Sequence, residues 1–296
     1  MKYKMKPGRI LFLAIDVLVL CLITFVCFIP IWHIVMASLS DPTSLNSYTR
    51  LVFWPLKRMD VQAYKVILQY KTLWISYRNT IGYIIATCLL TSILTTMAGY
   101  VLSRQRLYYR NVYMMIITFT MIFNGGMIPT YMVIRRLRMI DTPFAMIVPG
   151  VLSVFYILVM KTSMENVPLE LEEAARMDGA SDFTIMLHVI FPLCKASFAV
   201  IILFTAVAKW NDYFTALLYL PNKSEYYPLQ MVLRNILVTS TSDLTSDTVS
   251  MQNNISLYKK NIEYACIVVS TLPILCIYPF VQKYFVTGVT LGAVKN

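Results

Sequence analysis

Charge is scarce in this sequence. Asp, Glu, Lys and Arg make up 14% of 296 residues, against about a quarter in an ordinary soluble domain, so there is too little of it to clothe a soluble surface. Histidine is nearly absent, and His33 and His188 lie too far apart to suggest a shared metal. The six cysteines lie in or beside apolar stretches with no C-x-x-C pair, which removes a zinc site and a secreted disulfide framework. Nine glycines and thirteen prolines exclude a collagen-like or low-complexity chain. No G-x-x-x-x-G-K-[ST] phosphate loop occurs, so the chain is not expected to hydrolyse nucleotide in that manner. No nucleophile–base pair or carboxylate dyad stands out, which argues against an enzyme.

What is present is apolar: 58% of residues, with a mean hydropathy of +0.63. Six segments, at about 10–37, 78–102, 112–134, 143–163, 196–219 and 262–285, each reach the roughly 20 residues that span a bilayer as helix. The expectation is an all-α membrane protein with one transmembrane bundle. The basic opening MKYKMKPGRI leads into an apolar run longer than a cleavable signal core, so it reads as an uncleaved first span. The third segment is interrupted by Asn124-Gly125-Gly126 and Pro129. Either the break lies at membrane depth, or the span ends near Phe123 and Met127 to Ile140 forms an interfacial helix. The arginines at 135, 136 and 138 favour the second. The net charge of +11 sits between apolar runs, where it meets anionic lipid headgroups rather than nucleic acid. The balance of Lys and Arg does not by itself orient the chain. Residues 40–77 read as a partly ordered cap, and the Ser/Thr/Asp-rich tract within 221–260 as a loop.

Between the fourth and fifth segments, residues 165–192 carry a concentrated pattern. Pro168 suits a helix start, and Glu170, Glu172 and Glu173 place negative charge at that end. Leu171, Ala174, Ala175 and Asp178 recur at helical spacing on one face, Gly179 suits a left-handed stop, and Ser181 or Asp182 suits the cap of a second short helix ending at Pro192. The product is a helix–turn–helix elbow with a shallow face.

Glu173-Ala174-Ala175, Gly179, Val189, Phe191 and Pro192 together resemble the EAA loop of bacterial ATP-binding-cassette (ABC) importer permeases. WNDYF at 210–214, NGGMIPTY at 124–131 and YPFVQKYFVTGVTLGAVK at 278–295 resemble the carbohydrate permeases, and more narrowly the smaller subunit of maltose-type importers, in the branch that takes up oligosaccharides. The resemblance implies a six-transmembrane-helix bundle of the type I importer fold over 10–285, a cytoplasmic tail at 1–9, a coupling loop at 165–192 and a second cytoplasmic tail at 286–296. It implies that Glu173, Ala174, Ala175, Asp178 and Gly179 meet an ATPase subunit, and that Gly288, Gly292 and Lys295 in the tail also reach it. The implied partners are a second, related permease, two ATPase subunits, an extracytoplasmic sugar-binding protein and membrane lipids, with no nucleic acid. ATP and Mg belong to the ATPases, and this chain is expected to bind no cofactor or metal. The implied location is the bacterial plasma (inner) membrane, with both termini in the cytoplasm.

Trp210, Asn211 and Asp212, with Lys209, carry two readings. They line a sugar path, or the charged pair fixes helix packing; the spacing leaves both open, with packing favoured. The alternatives to the whole reading are an ion-gradient-driven secondary transporter and an ABC permease for a non-sugar solute.

Overall fold

The computed structural model describes residues 7–238 and 255–293. Among the described residues every regular element is helical. The chain divides into two compact units, Met1–Lys71 with Asn235–Pro273, and Thr72–Arg234 with Ile274–Asn296.

In the first unit, α1 (Pro7–Ser38) is apolar around its whole circumference, and Ile10, Leu11, Phe12, Leu18 and Phe25 are all exposed. A helix with no polar face belongs in lipid rather than in water. The stretch after it is held by polar pins. Asp41 caps α2 (Pro42–Ser47) by accepting the Ser44 N–H at 3.0 Å, and Pro42 takes the position where a missing N–H costs nothing. His33 Nδ1 accepts the Val52 N–H at 2.9 Å, and the buried Asn261 amide donates to Ser40 O at 2.7 Å. Ala37, Leu45 and Val52 bury together beside Tyr264. The short helix α3 (Gln62–Gln69) completes this stretch before Lys71.

In the second unit, α4 (Lys71–Ser103) buries one stripe of small and hydroxyl-bearing residues: Ser76, Thr80, Thr87, Thr91, Thr95, Gly99 and Ser103. Small residues let helices approach closely where there is no water to drive them together. The approach is tightest at Gly99, where a Cβ would lie 2.8 Å from Met160 Cγ. Hydroxyls on the same stripe make specific bonds, Thr80 Oγ1 accepting the Leu229 N–H at 2.8 Å and Thr91 Oγ1 donating to Val151 O at 2.9 Å.

The expected spans divide into two kinds. Gly8–Ser38, Lys71–Ser103 and Leu257–Pro279 are single helices long and apolar enough to cross a membrane. The other three are interrupted. The third is α5 (Arg110–Ile122) and α6 (Met127–Arg136), bent by 109° at the Asn124-Gly125-Gly126 break. The fourth, expected as one helix over 143–163, is instead α7 (Phe144–Ile147) and α8 (Val154–Glu165). Pro149 has no N–H to continue the helical ladder, and Gly150 then turns left-handed at φ +82°. The fifth, expected over 196–219, stops at Trp210 and resumes as Phe214–Tyr219. Among the described residues, two bent helix pairs, each taken as one span, join these three single helices as candidate crossings. The last helix runs from Ile255 to Ala293, so the backbone of 286–293 is helical. Lys295 and the Ser/Thr/Asp-rich tract lie outside the described residues.

Candidate functional site

The elbow folds as its local sequence dictates. In α9 (Leu169–Met177) Pro168 stands just outside the helix as its N-cap, at φ −54° and ψ 134°, and Glu170 and Glu172 fall in the first turn. The stop is a Schellman motif. Gly179 sits at φ +81°, its N–H donates to Arg176 O, and the Ala180 N–H donates to Ala175 O, each at 3.0 Å. Ala175 and Ala180 both rest on the same apolar cluster, which supplies the contact that accompanies this motif. Of the two candidate caps for the second arm, Ser181 takes the role by accepting the Thr184 N–H, while Asp182 pairs with Arg176.

The second arm runs Asp182–Leu193 and meets the next helix, Lys195–Trp210, at 84°. Its middle, Ile185–Ile190, is a π-helix. Pro192 explains this placement, because a proline ring clashes with the carbonyl four residues earlier and a wider turn relieves the clash. The inward face buries Ile185, Met186 and Ile190 against Tyr100 of α4 and Met160 and Met164 of α8. The elbow is therefore seated on the ends of two helices by apolar packing.

The outward face carries Glu173, Ala174, Asp178 and Gly179, all exposed, with Met177 88% exposed at the tip. Ala175 differs from its expected place: it is half-buried and turned toward the core. Nothing lies within 4 Å of a Cβ built on Gly179, so the surface there is open as well as shallow.

Periodicity gave no sign of Glu172. It is 1% exposed, and its carboxylate receives three guanidinium groups: Arg104, Arg106 at 3.0 Å and Arg176 at 2.9 Å. The hydrogen bond to Glu172 raises the Arg176 pKa further above its ordinary value. The Arg104 guanidinium also lies over the Tyr100 ring at 4.8 Å. The local clue was the four-residue spacing of Glu172 and Arg176; the other two partners lie more than sixty residues away. A groove of about 700 Å³ runs along this cluster between Arg104, Arg106, Glu170 and Glu173.

The second candidate site is spent largely on packing. Lys209 Nζ donates to Met146 O at 2.8 Å and to Asp212 Oδ2 at 3.2 Å. The other Asp212 oxygen accepts the Thr215 N–H at 3.1 Å, so this carboxylate starts the next helix. Trp210 is 7% exposed and meets the Tyr77 ring edge-on. Asn211 is exposed, and its amide donates to Val207 O. The helix backbone passes through Gly288 and Gly292. Among the described residues no group of His, Cys, Asp and Glu is arranged to hold a metal.

Residues 92–291 match the family described as the binding-protein-dependent transport system inner membrane component. The chain belongs to this family. Its members are ABC permease subunits, membrane conduits rather than enzymes, and the chain is a membrane-embedded component that works with other ABC transporter subunits. This permease is 36% identical over 281 residues to the polygalacturonan/rhamnogalacturonan transport system permease protein YtcP of Bacillus subtilis (strain 168), covering 94% of this chain and 96% of that one. It is 35% identical over 291 residues to protein LplC of the same organism, covering 98% and 97%. Among solved structures it superposes, with a TM-score of 0.86 and 33% identity, on a chain of a bacterial ABC transporter involved in the import of the acidic polysaccharide alginate, covering 95% of this chain and 99% of that one. The fold is that of an ABC importer permease.

Proposed function

We propose that this permease carries an oligosaccharide released from a polysaccharide, and that its elbow is the contact through which ATPase subunits drive it. The observation that carries the coupling role is the elbow itself, a rigidly seated helical projection with an open, shallow outer face at Ala174, Asp178 and Gly179. The cargo class is supported by near full-length similarity to a permease named for polygalacturonan and rhamnogalacturonan and, more distantly, to arabinooligosaccharide permeases. Acidic oligosaccharides are the first class to test, given that relative and the alginate importer.

In this reading the chain pairs with a second permease and two ATPases, and an external binding protein delivers the sugar. The elbow and both termini face the cytoplasm. ATP and Mg act in the ATPases. Their closure biases the paired permeases between inward- and outward-facing states, and differential affinity of the two states for partners and sugar drives the cycle. Glu173 and Asp178 offer the docking surface its charge, and Ala174 and Gly179 its close approach. Gly288, Gly292 and Lys295 remain candidates for a second ATPase contact. Trp210, Asn211 and Asp212 shape the helix break near the path, with Asn211 the member most open to a passing sugar.

The test is purification of the tagged chain from native membranes in gentle detergent, followed by reconstitution and uptake of labelled oligogalacturonides and neutral oligosaccharides. Recovery of an ATPase, a second permease and a binding protein, with ATP-dependent uptake of one sugar class, is the expected result. Recovery of the chain alone, under conditions that hold comparable complexes together, would reject the assembly. Uptake of neither class by an intact complex would reject the cargo.

A further inference from the structure

Glu172 is the most enclosed charge of the elbow, yet it is not among the residues assigned to docking. Its side chain is 2% exposed, and it ties α9 to the segment that follows α4. Arg104 and Arg106 follow directly on Ser103, the last residue of α4. Arg176 lies one turn along α9 and also reaches Asp182 on the second arm. The Arg104 Nε and Nη2 and the Arg176 Nε are buried without another partner, so these guanidiniums depend on the pairing they have. A buried charge stripped of its counter-charge is strongly destabilised. A second clasp ties the same region to α8, where Glu165 receives Arg110 and Lys161.

We propose that Glu172 is a positioning residue that locks both arms of the elbow to the Ser103 end of α4, so that displacement of the elbow is passed to a membrane helix. Apolar packing alone holds the elbow in place but resists sliding weakly, because it has no preferred direction. The carboxylate fixes direction: its two oxygens meet guanidiniums from both sides, and charge-assisted bonds of this kind are strong and geometrically specific. The segment joining α8 to α9, residues 166–168, contains no helix that would transmit a push. Glu172 therefore supplies the stiff connection. The inference rests on the elbow being the ATPase contact.

The experiment is the ratio of sugar transported to ATP hydrolysed, measured in the reconstituted complex with partner permease, ATPases, binding protein and saturating sugar. In Glu172→Gln the apolar seat is intact and the complex assembles, while the ratio falls by roughly three- to thirty-fold. Glu172→Asp recovers part of it. Arg106 is 65% exposed, so Arg106→Gln removes one partner without threatening the fold, and the ratio falls by roughly two-fold. A purely structural role would lower uptake and hydrolysis together and leave the ratio unchanged; that result in Glu172→Gln overturns the proposal. If Glu172→Gln fails to assemble, Arg106→Gln decides, and an unchanged ratio there overturns it. Failure of the unmodified chain to retain any ATPase overturns the docking reading and this inference together.

Discussion

Substitutions at Gly179 separate two costs that are usually confounded. Its φ of +81° is a conformation that costs an ordinary L-residue about 1–2 kcal/mol, and no atom lies within 4 Å of an added Cβ. In the chain alone, Gly179→Ala therefore pays only the backbone term. That weakens the formed turn by roughly five- to thirty-fold relative to its unformed state. Asn enters this region more readily than Ala, so Gly179→Asn is the milder change by the same measure. Gly179→Pro is the harshest, since the ring fixes φ near −65° and removes the N–H that donates to Arg176 O. The expected order of elbow stability, read by hydrogen exchange of the 169–193 amides in detergent, is Gly, Asn, Ala, Pro. If a partner surface closes on this open spot, volume counts instead, and Asn becomes worse than Ala. The expected order of uptake in the full complex is thus Gly, Ala, Asn, Pro. The same order in both assays would refute the claim that Gly179 lies under a docked partner.

Three further outcomes follow from particular contacts. Gly99→Ala places a methyl 2.8 Å from Met160 Cγ and 3.2 Å from the Lys161 backbone N, an overpacking cost of about 1–3 kcal/mol. A thermal melt of the purified chain reads it, and Met160→Ala in the same chain should recover part. Asp212→Asn keeps an oxygen for the Thr215 N–H but weakens the Lys209 pair, at about 1.5–3 kcal/mol. Lys209→Met alone should cost more, because it leaves Asp212 charged and enclosed, and the double variant should melt above the lysine single. Bonds from Thr43 and from the Ser44 N–H and hydroxyl lower the Asp41 pKa to about 2. Because the folded value lies below the ordinary carboxylate value, its contribution is fully present above about pH 4. It is lost as pH falls through about 2. Protection of the 43–47 amides, corrected for intrinsic exchange, should hold at pH 4 and fall by pH 2, and Asp41→Asn should flatten that loss.

The elbow was legible because every instruction in it is local. Pro168 precedes the helix, carboxylates follow, Gly179 turns it and Ser181 restarts it, each within a few residues of the group it satisfies. Glu172 and Glu173 are equivalent by that logic, and only tertiary contact separates them. Arg104 and Arg106, which look like ordinary basic residues flanking a span, turn Glu172 inward and leave Glu173 outside. The half-burial of Ala175 against the apolar cluster was hidden for the same reason, since periodicity defines a face but not what that face meets. The interrupted spans failed differently. Hydropathy averaged over a span sees Pro149-Gly150 as two residues in an apolar run, whereas the backbone treats them as a stop.

Those interruptions carry their own logic. Where a helix breaks in an apolar setting, the freed carbonyls and N–H groups need partners from the protein, because lipid offers none. Around the break after α7, Met146 O is met by Lys209 and Val151 O by Thr91. At the break after Trp210, Asp212 takes the Thr215 N–H. At the bend after α5, the Asn124 side chain accepts the Gly126 N–H at 3.0 Å. Lys209 and Asp212 thus join two breaks: the lysine, in the last turn of one helix, satisfies the other's carbonyl, and the aspartate neutralises the lysine while starting the next helix. A charge at this position serves the backbone first. The neighbouring Asn211 differs: its side chain is exposed and spent only on its own helix.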